Sequence, residues 1–128
     1  MKVLIVDDNV DAADIFKLLV ERLGGHEVVT SYSGESALET LADFRPDVIF
    51  LDIVMPKLDG LEVCRRIRRL PWSMHTAIYA VTGRPHVEER SAEAGFTGCI
   101  LKPFDWIEVE QLLAGDLPTS TNTSISRG

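Results

Sequence analysis

Short apolar runs alternate with amphipathic stretches from one end of the chain to the other. Lys2-Val3-Leu4-Ile5-Val6 is almost continuously apolar, the pattern of a strand covered on both faces. From Val10 to Leu23, Ala12, Ile15, Phe16, Leu19 and Leu23 recur at helical spacing and predict a helix with those residues inward. Gly24-Gly25 ends it, because glycine accepts the left-handed cap conformation. Glu27 to Ser31 is a second strand. Ser33 caps a helix running to about Asp43, with Ala37, Leu38 and Leu41 inward, and Pro46 marks the break. Val48-Ile49-Phe50-Leu51 is the third strand and the most apolar, which places it at the centre. Asp59 opens the next helix, with Glu62 three residues on in a capping-box pattern. Leu61, Cys64, Ile67 and Leu70 are its inner stripe, and Pro71 closes it. Ala77 to Val81 is the fourth strand. A short polar helix at about Val87 to Ala94 follows, ended by Gly95. Cys99 to Leu101 is the fifth strand, and Asp105 caps a last helix to about Ala114 with Ile107, Val109, Leu112 and Leu113 as its apolar set.

This alternation implies an α/β fold: a doubly wound, five-stranded parallel sheet with helices on both faces and right-handed crossovers. A length of 128 residues suits one domain, expected at residues 1–115, and residues 116–128 form a polar Ser, Thr, Asn and Pro tail expected to be disordered. At 45% hydrophobic and 26% charged residues, the chain has the composition of an ordinary globular domain. Its apolar runs are too short to span a bilayer or to serve as a signal peptide, so a cytoplasmic location and no membrane partner are expected. The net charge of −7 argues against direct nucleic-acid binding. Arg65, Arg68 and Arg69 share a helix face, which the charge pattern assigns to solvent. Cys64 and Cys99 fit neither zinc nor redox spacing and are expected to be reduced, mostly buried thiols.

In open parallel sheets, ligands bind beyond the carboxyl ends of the strands. Here those ends carry Asp7-Asp8, Asp52, Thr82 and Lys102. Two carboxylates about 5 Å apart repel by roughly 3 kcal/mol at an effective dielectric of about 20, so either one protonates or a cation sits among them. Oxygen ligands without His or Cys favour a hard cation, Mg²⁺ or Mn²⁺. Lys102 supplies a point charge and Thr82 a hydroxyl for phosphate oxygens, and phosphoryl transfer needs such positioning and neutralisation more than covalent help. An Asp carboxylate can act as nucleophile and become an aspartyl phosphate. Asp52, ending the central strand, is the natural acceptor.

Five segments in order, Val3-Leu4-Ile5-Val6-Asp7-Asp8-Asn9, Val48 to Pro56, Asp59-Gly60, Ala80-Val81-Thr82 and Lys102-Pro103-Phe104, resemble the receiver domain of the bacterial response-regulator family over about residues 1 to 115. The resemblance implies the flavodoxin-like receiver fold with strand order 2-1-3-4-5. It implies that Asp52 is phosphorylated by a sensor histidine kinase or a histidine phosphotransfer protein. Asp7, Asp8, Asp52 and the main-chain carbonyl of Val54 would hold the metal, with Asp8 the more direct ligand. Thr82 would follow the phosphoryl group, Lys102 would pair with it, and the Lys102-Pro103 bond would be cis. The chain would be a phosphoacceptor signalling domain, monomeric or weakly dimeric. It would not be a turnover enzyme, and it would pass its signal to a downstream protein, or else be a piece of a longer chain.

One position and one segment depart from the family pattern. Cys99 stands where receivers commonly carry a Tyr or Phe that swings inward on activation; some receivers linked to hybrid kinases also lack it. The segment from Thr82 to Gly95 is short, so phosphorylation is expected to act on the order of residues 83–94 more than on an aromatic rotamer. Val54 has no polar atom to orient a hydrolytic water, which points to slow self-dephosphorylation. It also argues against a haloacid-dehalogenase-like phosphatase, which needs a second Asp at that place. Asp7-Asp8-Asn9 likewise lacks the hydroxyl- and glycine-rich loop of a flavin site.

Overall fold

The computed structural model describes residues 1–83, 88–103 and 105–114, with no side-chain description at 88 and 89. The expected tail, residue 104 and the expected start of the fourth helix near 87 lie outside the described residues. The elements run β1 (Lys2–Val6), α1 (Val10–Arg22), β2 (Glu27–Ser31), α2 (Gly34–Thr40), β3 (Val48–Asp52), α3 (Gly60–Arg68), a 3-10 turn (Pro71–His75), β4 (Ala77–Thr82), α4 (Glu88–Ala94), β5 (Gly98–Leu101) and α5 (Trp106–Ala114). The strands form one parallel sheet in the order β2-β1-β3-β4-β5, as expected, with β3 central.

Strand side chains alternate between faces, and the sheet divides the core accordingly. Leu4, Val6, Ile49, Leu51, Ile78 and Ala80 pack against α2, α3 and α4. Val3, Ile5, Val48, Phe50, Tyr79, Val81 and Ile100 pack against α1 and α5. On the second face Phe16 lies 5.0 Å from Phe50 and edge-on to Trp106 at 5.5 Å, ring centroid to centroid, which locks α1 between β3 and α5.

That aromatic lock corrects the expected inner stripe of α1. Ala13, Phe16 and Val20 are buried, whereas Ile15 is 58% exposed and Leu23 36% exposed. The helix carries apolar residues nearly all round, so spacing alone did not select the face; Phe16 does.

Other helix ends follow local chemistry. Asn9 caps α1 by accepting from the Ala12 N–H at 3.1 Å. Ser33 caps α2, Asp59 caps α3, and Asp105 caps α5. Only half of the expected capping box forms at α3, because the Glu62 carboxylate turns to Arg66 at 3.0 Å and Arg65 at 3.4 Å.

Arg68 departs from the expected solvent face. Its guanidinium turns inward and donates to the carbonyls of Gly95 (2.8 Å), Ser73 (2.6 Å) and Thr76 (2.8 Å) and to the Thr97 hydroxyl (3.2 Å). It ties the end of α3 to the strand that follows α4. Cys64 is buried and Cys99 half-buried, neither in a disulfide, and burial pushes the Cys64 thiol up to about 11.

Candidate functional site

The register of β1 on β3 builds the site. Val3 pairs with Val48 and Ile5 with Phe50, all on the face covered by α1 and α5. Two residues further, on the same face, the chain reaches Asp7 on β1's end and Asp52 on β3's end. Neighbouring parallel strands are about 4.8 Å apart, so the two carboxylates are forced together by backbone geometry. Asp8 joins them from the loop, and carboxylate oxygens of Asp7, Asp8 and Asp52 lie within 4.8 Å of one another. Asp7 and Asp52 are buried and Asp8 is exposed, so the cluster opens to solvent on one side.

Backbone donors aim the two buried carboxylates. The Asn9 N–H donates to Asp7 Oδ1 at 2.9 Å, and the Val54 N–H donates to Asp52 Oδ1 at 3.3 Å. From the end of β5, with β3 and β4 lying between, Lys102 Nζ reaches Asp7 Oδ2 at 3.3 Å. Its main chain is held by the Lys102 N–H donating to the Thr82 carbonyl at 2.7 Å, and the Lys102-Pro103 peptide is cis. Thr82 is one residue beyond Val81, the partner of Asp52, on the same face as Ile78 and Ala80, and is almost fully buried at 1% exposure. Val54 stands at the rim and is 47% exposed.

Burial is the largest cause that raises the Asp52 carboxyl from 3.8 to about 6; Lys102 opposes it and the Asp7 charge adds to it. A carboxyl held this way is a better proton acceptor than a surface Asp and gains from a cation nearby. Among the described residues the cluster is three carboxylates, an all-oxygen donor set that fits a hard divalent ion.

Asp7, Asp8, Asp52 and Lys102 therefore meet at one rim, and Thr82 ends the strand next to that of Asp52. What the sequence did not indicate is that Lys102 rests on Asp7, and that Asn9 and Gly60 hold the loops on either side. Gly60 donates its N–H to the Ile53 carbonyl at 2.9 Å, and a Cβ on it would lie 2.2 Å from the Asp52 carbonyl oxygen. The Asp-Gly pair after a strand-end Asp was the only sequence signal for that close approach.

Fold and rim together define an open α/β domain with an acidic, oxygen-lined site at the end of its central strand. The family model for the response regulator receiver domain matches residues 3–114. Response regulator MprA of Mycobacterium avium (strain 104) is 37% identical over 89% of this chain and 48% of its own length. Chemotaxis protein CheY4 of Vibrio cholerae superposes with a TM-score of 0.83 at 30% identity, covering 91% of this chain and 98% of that one. The signal receiver domain of a DNA-binding response regulator (merR) from Colwellia psychrerythraea 34H gives a TM-score of 0.83 at 26% identity, covering 90% of this chain and 96% of that one. The chain belongs to the response regulator receiver domain family, a family of signalling domains of two-component systems. It spans about half the length of the curated relatives it matches. Among the described residues no helix is long and apolar enough to cross a membrane.

Proposed function

We propose that this domain is a phosphorylation-operated switch in which Asp52 accepts a phosphoryl group from a phosphohistidine, on a sensor histidine kinase or a histidine phosphotransfer protein. The observation that carries this reading is the Asp52 carboxylate itself. It ends the central strand, is oriented by the Val54 N–H, and lies beside two further carboxylates and within the field of Lys102. In the transfer, an Asp52 carboxylate oxygen forms the bond to phosphorus as the phosphorus–nitrogen bond breaks, and the imidazole leaves with the electron pair. Asp7, Asp8, Asp52 and the Val54 main-chain carbonyl would hold Mg²⁺ or Mn²⁺, which supplies charge neutralisation for phosphoryl oxygens when bound. Lys102 exchanges its contact with Asp7 for a phosphoryl oxygen, and the buried Thr82 hydroxyl donates to another.

The domain catalyses its own phosphoryl transfer and loss and otherwise serves as a cytoplasmic signalling module, monomeric or weakly dimeric, that passes its state to a downstream protein. Direct nucleic-acid contact is disfavoured by the net charge of −7. Val54, apolar and exposed at the rim, offers no group to orient a hydrolytic water, so the phosphorylated form is long-lived. Mg²⁺-dependent labelling with a small phosphodonor tests the assignment. Asp52→Asn abolishes labelling on this reading, and equal labelling of both proteins removes Asp52 from its role. Decay of the labelled protein within seconds contradicts the role given to Val54.

A further inference from the structure

We infer that Gly60 is a positioning residue for phosphoryl transfer, holding the peptide group whose N–H aims the Asp52 carboxylate. The inference rests on Asp52 as phosphoacceptor and concerns how it is oriented. The Gly60 N–H donates to the Ile53 carbonyl at 2.9 Å. The Val54 N–H donates to Asp52 Oδ1 at 3.3 Å. That carbonyl and that N–H belong to the same peptide unit, between Ile53 and Val54. A planar peptide transmits orientation, because its two ends cannot turn independently. Gly60 thus fixes one end and the Asp52 carboxylate hangs from the other. The next carbonyl along, that of Val54, is the main-chain oxygen assigned to the metal.

The approach needed for this bond admits no side chain. A Cβ at Gly60 would lie 2.2 Å from the Asp52 carbonyl oxygen, 2.8 Å from Ile53 Cα and 2.9 Å from the Asp52 carbonyl carbon. All three are backbone atoms, so relief requires α3 to lift off the end of β3, which lengthens the Gly60 bond and frees the peptide to tilt. Gly34 provides a matched control. A Cβ there would meet Val63 Cγ2 at 2.7 Å and the Leu58 carbonyl at 2.8 Å, crowding the same helix without touching the Asp52–Ile53–Val54 backbone.

The test compares wild type, Gly60→Ala and Gly34→Ala for thermal stability, for the Val54 amide proton shift in metal-free protein, and for labelling with a small phosphodonor at saturating Mg²⁺. Both variants lose stability. Only Gly60→Ala shifts the Val54 amide proton upfield, as its bond to Asp52 lengthens. Only Gly60→Ala lowers the maximal labelling rate, by about 10²-fold, the scale expected for an ångström-level misplacement of a reacting group. Equal labelling rates in the two variants, or a Val54 shift unchanged in Gly60→Ala, overturn the inference. If Gly60→Ala does not fold, it is repeated with Lys57→Gly, which relieves the positive φ of Lys57 (67°) in the same loop. Failure to fold there too, with Gly34→Ala folded, assigns Gly60 a purely structural role and also overturns it. Failure of wild type to label, or equal labelling of Asp52→Asn, instead overturns the phosphoacceptor assignment.

Discussion

Asp52→Asn removes a charge while keeping the shape and the Oδ1 acceptor for the Val54 N–H. In metal-free protein this variant is expected to be more stable than wild type above about pH 6, and no more stable below about pH 4. Burial, with the Asp7 charge adding to it, raises the Asp52 carboxyl from 3.8 to about 6. Between those values the folded protein holds a proton that the unfolded chain has released. The Asp52 contribution to wild-type stability therefore falls as pH rises through that window and levels off above it. A shift of about two units corresponds to roughly 3 kcal/mol at most. Asp8 opens the cluster to water, and solvent screening cuts this to about 1–2 kcal/mol. For a domain of this size that is about 3–8 °C in melting temperature. The assay is urea unfolding of both proteins in EDTA at about pH 4, 6 and 8, repeated with Mg²⁺. The added ion stabilises wild type more than the Asn variant, because it binds the folded carboxylate set. An Asn variant equal to or less stable than wild type at pH 8 in EDTA would refute the premise that Asp52 is held charged against its surroundings.

Three further outcomes follow from the described contacts. Lys102 Nζ occupies Asp7 Oδ2 at 3.3 Å, so Lys102→Met removes a competitor from the carboxylates. Mg²⁺ binding by titration tightens about fivefold, equivalent to about 1 kcal/mol for a partly exposed pair, while phosphodonor labelling falls. Lys57 has φ 67°, so Lys57→Gly raises stability by about 0.5–1 kcal/mol in denaturant unfolding; a loss would show that the Lys57 side chain makes an offsetting contact. Arg68→Met strips the donors from the carbonyls of Ser73, Thr76 and Gly95 and costs about 3 kcal/mol, with faster amide exchange at Phe96 and Thr97 but not in β1.

The parts of the molecule legible in the sequence are those set by periodicity and by strand ends. Val48 to Leu51 had to be central because no polar residue interrupts it, and all four of its side chains are buried. Asp7, Asp8, Asp52, Thr82 and Lys102 were identifiable because polar groups at strand carboxyl ends converge whatever the loops do. The inward face of α1 was not legible, since Ile15 and Phe16 are equally apolar in pattern and only the packing of Phe16 on Phe50 and Trp106 separates them. Arg68 misled for a related reason. Among neighbouring arginines, composition shows charge, whereas the carbonyls of Ser73 and Thr76 at the Pro71–His75 turn decide which one turns inward. The Lys102 contact with Asp7 depends on side-chain reach across two strands, which linear order does not express.

The pairing of β1 with β3 has a consequence for how the protein comes to be active. Asp7 and Asp52 share a face only because Val3 lies beside Val48 and Ile5 beside Phe50. A slip of one residue between these strands would turn one carboxylate to the opposite side of the sheet and break up the trio. If the rim holds a divalent ion as proposed, its affinity would serve as a fidelity gauge for assembly, because only aligned molecules would present the carboxylate trio to it. Refolding yield that rises with Mg²⁺ in wild type, but not in Asp52→Asn, would mark the chemistry of the rim as a checkpoint on the alignment of the sheet beneath it.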